Sequence, residues 1–178
     1  KQLIGLNRPA AIEKFPQLFP GCPESGEACL QRYRAWMDDY IRENGVPVKP
    51  GLRELLAWLK QAHILCAVAT STFTNVAIGY LKNAGVLNCF AAIVGGDQVT
   101  KSKPDPEIFQ LAMRALGKQT PETCVVFEDS RNGLLAGANG GFPVIVVPDL
   151  FDPTLELPGL CYAKCARLDE AIDVIQNS

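Results

Sequence analysis

Two short segments hold the residue types that could do chemistry. In residues 102–106, Ser-Lys-Pro-Asp-Pro, a lone ammonium on Lys103 sits at a Pro-rich corner. In residues 127–133, Phe-Glu-Asp-Ser-Arg-Asn-Gly, the adjacent carboxylates of Glu128 and Asp129 close an apolar run just ahead of a Gly. A lysine can serve as a point charge on a transferring phosphoryl group. Two neighbouring acids supply the hard oxygens that Mg²⁺ takes together with water and phosphate oxygens, one of them directly and the other through water. Thr70-Ser71-Thr72 adds hydroxyls and backbone N–H groups at the start of a helix, where phosphate oxygens are readily bound. Each element also has a plainer reading. Thr72 could simply cap its helix, Lys103 could be solvated as Lys101 is expected to be, and the acids could complement the dipole of the helix that follows. Their joint occurrence, in this order, is what points to phosphoryl chemistry.

Composition narrows the field. A chain of 178 residues, 48% apolar, has room for one full domain, or one domain and a small lid, with a sizeable core. Seventeen basic against 19 acidic residues argue against a nucleic-acid surface and against a polybasic membrane anchor. Apolar runs such as residues 144–147 are far too short to span a bilayer. Seven cysteines, an odd number scattered through the chain, read as reduced and mostly buried thiols of a cytoplasmic protein. The Cys161-x-x-x-Cys165 pair lacks the partners of a metal site. A single histidine, His63, argues against a His-based metal centre or a Ser-His-Asp triad.

The elements that must position these residues alternate. Residues 26–44 read as an amphipathic helix, with Leu30, Tyr33, Trp36, Met37, Tyr40 and Ile41 recurring at three and four, and with Asn44-Gly45 as its stop. Pro9, Pro16, Pro20 and Pro23 are expected to break the preceding region into short pieces, so residues 1–48 form a small helical unit. From residue 49 the pattern predicts helix at 51–61, strand at 64–69, helix at 73–83, strand at 91–94 and helix at 105–116. Strand at 123–127, helix at 130–139, strand at 144–147 and helix at 168–176 complete it. Asp105 is expected to cap its helix from Pro106 onward, and Pro104 to hold Lys103 extended. Residues 64–69 form a continuous apolar run, as in a strand buried on both faces. Strands spaced by such helices predict a three-layer α/β fold, Rossmann-like, with a parallel sheet. Ligands then bind beyond the carboxyl ends of the strands, where Thr70, Lys103 and Glu128-Asp129 all fall.

These residues resemble the haloacid dehalogenase-like hydrolase superfamily, in its phosphatase and beta-phosphoglucomutase-like branch with a helical cap. Thr70, with Ser71 beside it, is similar to the family's second motif, Lys103 to its third, and Glu128-Asp129 to its acidic metal-binding motif. The resemblance covers essentially the whole chain. It implies a cap at 1–48, partial, and a core at 49–178. It also implies that Thr70 orients a phosphoryl group, Lys103 offsets charge, and Glu128 and Asp129 hold Mg²⁺. In the family an aspartate forms an aspartyl-phosphate, and a second aspartate two residues on moves the protons. The substrate implied is a small phosphate ester such as a sugar phosphate, with Ser71 and Arg8 among the residues that bind it. Arg8, in Ile4-Gly5-Leu6-Asn7-Arg8, has two readings: a cap arginine holding the substrate's polar end, or a surface ion pair. Arg32 is a weaker basic candidate.

The chain departs from the family in one respect: no two of its aspartates are separated by a single residue. The nucleophile's strand is the family's central one, between the strands at 64–69 and 123–127. Its loss would leave a gap of about 10 Å between unpaired edges. The expectation is therefore an N-terminal truncation of a magnesium-dependent phosphatase, inactive over these 178 residues. The alternatives are a beta-phosphoglucomutase-like isomerase, against which stands Ile4 where the mutase cap has a lysine, and a non-catalytic phosphoester-binding or interaction protein.

Overall fold

The computed structural model describes residues 3, 6 and 8–177. Ile4, Gly5 and Asn7 of the segment before Arg8 lie outside the described residues. Two helices come first, α1 (Arg8–Leu18) and α2 (Gly26–Asn44). The Ser25 hydroxyl caps α2 by accepting from the Ala28 amide at 3.2 Å. Gly45, at φ 75°, ends it by returning its N–H to the Ile41 carbonyl. Helix α1 corrects the expectation of short broken pieces, because it runs through Pro16. Pro9 falls in the first turn, where no intrahelical N–H is needed. The interior Pro16 is tolerated because α1 packs closely on α2: a Cβ on Gly26 would stand 2.8 Å from the Phe15 Cβ.

From Gly51 onward helices and strands alternate: α3 (Leu52–Gln61), β1 (Ala67–Ala69), α4 (Thr74–Asn83), β2 (Ala92–Val94) and α5 (Glu107–Ala115), then β3 (Val126–Glu128), α6 (Arg131–Asn139), β4 (Val144–Val146), β5 (Ala163–Lys164) and α7 (Ala171–Gln176). Every strand pair is parallel. The period of two sends the side chains of β4 alternately to opposite faces. Val144 and Val146 join Val94, Ile108, Phe109, Val126 and Leu134 under α5 and α6. Ile145 joins Leu55, Leu59, Val147, Leu168 and Ala171 under α3 and α7. The result is an α/β fold with helices on both faces of its parallel strands.

The strands do not make one continuous sheet. Among the described residues β1 pairs with β2, and β3 with β4 and β5, with no ladder between β1 and β3. The division falls where the sequence leads one to expect a central strand. It also corrects the reading of residues 64–69 as a strand buried on both faces. Only Ala67–Ala69 is strand, half-buried, while Ile64 and Leu65 are 42% and 59% exposed. Among the described residues β1 has a neighbouring strand on one edge only, β2. The strand predicted from residue 123 likewise starts later, at Val126, because Pro121–Thr123 forms a 3-10 turn. Strand β5 is unannounced by its sequence. Of the seven thiols Cys165 alone is buried, so mostly buried cysteines is a further correction; all seven are free. No helix among the described residues is long and apolar enough to cross a membrane.

Candidate active site

The carboxyl ends of β1 and β3 border a cavity of about 450 Å³. Ala69, Thr70, Ser71 and Thr72 form one wall, and Phe127, Glu128, Asp129 and Ser130 another. Lys103 and Lys49 also line it, with Leu6, Val147 and Leu168 as its apolar part.

On the β1 side the ladder extends one residue past the strand, as the Thr70 amide donates to the Val94 carbonyl at 3.0 Å. The Thr70 hydroxyl then accepts from the Thr72 amide at 3.2 Å, which curls the loop over the strand end. The loop lies against Gly95-Gly96 so closely that a Cβ on Gly96 would come within 2.5 Å of the Ser71 carbonyl oxygen. Thr72 is not the cap of α4. Asp97 caps it from across the loop, accepting from the Thr74 amide at 2.6 Å and from its hydroxyl at 2.8 Å. Those bonds, the amide's foremost, hold the Asp97 carboxyl below its ordinary range.

Lys103 lies in a turn, closed by the Asp105 amide donating to the Ser102 carbonyl at 3.0 Å. Its bond to Pro104 is cis. Asp105 keeps a capping role, accepting from the Glu107 amide at 3.0 Å, although α5 begins at Glu107, one residue beyond Pro106. The Lys103 side chain runs inward until it is 6% exposed. Its Nζ donates to the Ala69 carbonyl at 3.3 Å and to Glu128 Oε1 at 2.5 Å, and stands 4.6 Å from the centre of the Phe109 ring. One ammonium thus joins the ends of β1 and β3, which share no ladder. Lys101 is the exposed surface lysine it was expected to be, paired with Asp105 at 3.6 Å.

Glu128 is as buried as its partner, at 8% side-chain exposure. Its second oxygen, Oε2, accepts from the Asp129 and Ser130 amides and, at 3.0 Å, from the Ser130 hydroxyl. Ser130 Oγ in turn accepts from the Gly133 amide at 2.9 Å and so caps α6. Gly133 has no freedom to be anything larger, because a Cβ there would sit 1.9 Å from the Glu128 Cδ. The glycine after the acid pair is therefore the floor on which Glu128 rests. Asp129 differs. Its carboxylate meets Lys49 Nζ at 3.4 Å and is 37% exposed. Burial first, and then the charge of Glu128, pushes the Asp129 carboxyl above its ordinary range, while Lys49 pulls it partly back.

Two residues were missed by sequence reasoning. Ser130 was read only as the start of a helix, yet its hydroxyl orients Glu128. Lys49 does not enter the sequence reading. Its one local signal is the Lys-Pro dipeptide, Lys49-Pro50, which repeats that of Lys103-Pro104. Arg8 does not line the cavity: its guanidinium pairs with Glu27, which is the ion-pair reading. Arg32 pairs with Glu24 on the surface.

The donor set bears on Mg²⁺. Both oxygens of Glu128 are engaged by protein donors, so Asp129 is the member of the pair with a carboxylate open to the cavity. Among the described residues no three His, Cys, Asp or Glu side chains cluster to hold a metal. Magnesium can take a single carboxylate and complete its shell with water and phosphate oxygens. Asp129 fits that role, with Glu128 behind it. The charges agree: among the lining residues two ammoniums, Lys49 and Lys103, balance two carboxylates, Glu128 and Asp129, so the cavity holds no surplus positive charge for a phosphate dianion unless a cation is added.

A family model described as haloacid dehalogenase-like hydrolase matches residues 2–141. Over 103 residues the chain is 42% identical to a phosphorylated carbohydrates phosphatase of Thermotoga maritima, covering 58% of this chain and 45% of that protein. The chain spans about half the length, or less, of the first curated relatives it matches. Among solved structures, CbbY from Rhodobacter sphaeroides in complex with phosphate superposes with a TM-score of 0.75 at 27% identity, over 90% of this chain and 74% of that one. A beta-phosphoglucomutase from Clostridium difficile gives a TM-score of 0.80 at 20% identity, over 99% of this chain and 78% of that one, a likeness of fold.

Proposed function

Since this chain belongs to the haloacid dehalogenase-like hydrolase family, we propose that it is the larger part of a magnesium-dependent phosphatase acting on a small phosphorylated metabolite such as a sugar phosphate. In this reading residues 1–48 are a partial helical cap and 49–178 the core, and substrate enters between them. The convergence of Thr70–Thr72, Lys103 and Asp129 on one cavity carries the proposal. Thr70 and Ser71 present their hydroxyls to the phosphoryl oxygens, and the loop they belong to is pinned by Gly96 and Asp97. Lys103 sets a positive charge beside those oxygens, and its aim is fixed by Ala69, Glu128 and the Phe109 ring. Glu128 acts through Lys103 and Ser130 rather than on substrate. Asp129 would hold Mg²⁺, which when bound offsets the repulsion between an anionic nucleophile and a phosphate. The apolar lining of Leu6, Val147 and Leu168 excludes water from part of the cavity. The nucleophile is not among these residues, since no Asp-x-Asp occurs in the 178. On this reading the chain alone does not turn over.

The relatives support the substrate class: one is described as a phosphatase of phosphorylated carbohydrates, and another is solved with phosphate. The test is an assay of the full-length gene product for Mg²⁺-dependent release of phosphate from para-nitrophenyl phosphate and from a panel of sugar phosphates. Release that is abolished by Thr70→Val and by Asp129→Asn is the expected result. No release from any member of the panel discards the reading.

A further inference from the structure

Lys49 stands where the chain passes from α2 to α3, and its backbone there is rigidly held. The Pro50 carbonyl accepts from the Leu168 amide at 3.0 Å, and the Leu52 amide donates back to the Lys49 carbonyl at 3.2 Å. Gly51, at φ 82°, lies so near Asp169 that a Cβ would come within 2.0 Å of a carboxylate oxygen. The side chain of Lys49 therefore leaves from a fixed point. Its ammonium, with the side chain 29% exposed, is ringed by three oxygens: Asp129 Oδ2 at 3.4 Å, Asp149 Oδ2 at 3.6 Å and the Pro148 carbonyl at 3.5 Å. Two carboxylates and a carbonyl around one positive charge are the donor chemistry of a hard-cation site, here filled by the protein's own ammonium.

We infer that Lys49 is a positioning residue that serves as a built-in counter-ion, holding Asp129 toward the cavity and competing with a divalent cation for its carboxylate. The inference rests on the reading of Asp129 as the magnesium-binding acid. Charge decides its sign. An opposite charge within about 4–6 Å shifts an ionic equilibrium at a carboxylate by a factor of roughly 10 to 1000. Exposure of Asp149 places this site at the lower end. Removing the ammonium leaves two carboxylates facing one another with no cation between them, so a divalent ion gains what Lys49 loses.

The experiment is calorimetric titration of the full-length protein with Mg²⁺ alone, for the wild type and for Lys49→Met, Lys49→Arg and Asp129→Asn, with Lys49→Gln as a second neutral variant should the first fold poorly. Lys49→Met is expected to bind Mg²⁺ about tenfold tighter, Lys49→Arg to bind as the wild type does, and Asp129→Asn to lose binding. A gain in affinity, reversed by a conservative cation, is not what a merely structural role produces. Binding lost in Asp129→Asn but unmoved or weakened in Lys49→Met overturns this inference alone. Absence of Mg²⁺ binding in every protein overturns the magnesium reading and this inference together.

Discussion

At the scale of single residues, the site depends on one buried ion pair. Lys103 and Glu128 are both under 10% exposed and joined at 2.5 Å. Desolvation makes such a pair a poor source of net stability, but removing one member strands the other's charge in a low dielectric. Lys103→Met is therefore expected to lower stability by about 3–5 kcal/mol, because Glu128 keeps only the Ser130 and Asp129 donors. Urea denaturation reads this directly. The double variant Lys103→Met/Glu128→Gln should recover part of the loss, and equal losses in the single and double variants would show that the charge is not the cause. Asp129, one residue from Glu128, is governed by a different balance. It faces the cavity, burial lifts its carboxyl, and Lys49 moderates that lift. Two adjacent acids of nearly the same chemistry are thus assigned different work by what surrounds each.

At the scale of elements, helix ends and tight approaches do most of the positioning. Helix α6 begins at a serine whose hydroxyl holds both the helix and Glu128. Helix α4 is capped by an aspartate from the far side of the β2 loop. One end is less well suited to its residue. His63 closes α3 at φ 56°, with its amide donating to the Lys60 carbonyl and the Ile64 amide to the Leu59 carbonyl. A left-handed conformation costs an L-residue about 1–2 kcal/mol, partly offset in glycine by its larger unfolded freedom. His63→Gly is expected to stabilise the protein by about 0.5–1 kcal/mol, seen as a higher urea midpoint at unchanged slope. A midpoint that stays or falls would mean that the imidazole makes contacts worth more than the strain.

At the scale of the whole molecule, stability is unevenly spread. Val144, Ile145 and Val146 of β4 are at most 1% exposed, while β1 is only half-buried and has an unpaired edge among the described residues. Amide hydrogen exchange should therefore be slowest in β4 and β3 and about tenfold or more faster in β1 and β2. Uniform protection across the five strands would contradict a molecule built as two half-sheets. Acid should release an outlying clasp. Lys164 in β5, and then the Thr154 hydroxyl at 2.6 Å, hold the Asp152 carboxyl at about 2, against an ordinary 3.8. Because the folded value is the lower one, the ionised form contributes stability above the ordinary value, and this is lost as pH falls from there through about 2. Urea midpoints measured from about pH 5 to pH 2 should drop more steeply in the wild type than in Asp152→Asn. Parallel profiles would show that the clasp does not operate.

Much of this was open to reading without coordinates, and the part that was not has a common cause. Helix α2, with its Asn44-Gly45 stop, the apolar run at β4, and the motif residues Thr70, Lys103, Glu128 and Asp129 are written in local patterns: periodicity, caps and spacing act over a few residues, so a few residues suffice to see them. What depends on partners far away in the chain was invisible. The shortness of β1 follows from which edge finds a mate, and α1 runs through Pro16 because α2 lies against it. That Glu128 is taken up by Lys103 and Ser130 while Asp129 stays open, and that Lys49 reaches the site at all, are matters of which side chains the fold brings within hydrogen-bond distance. Residue type and order therefore decided the chemistry available to this protein. Tertiary packing alone decided which oxygen is free to use it, because burial and charge pairing act across space and not along the chain.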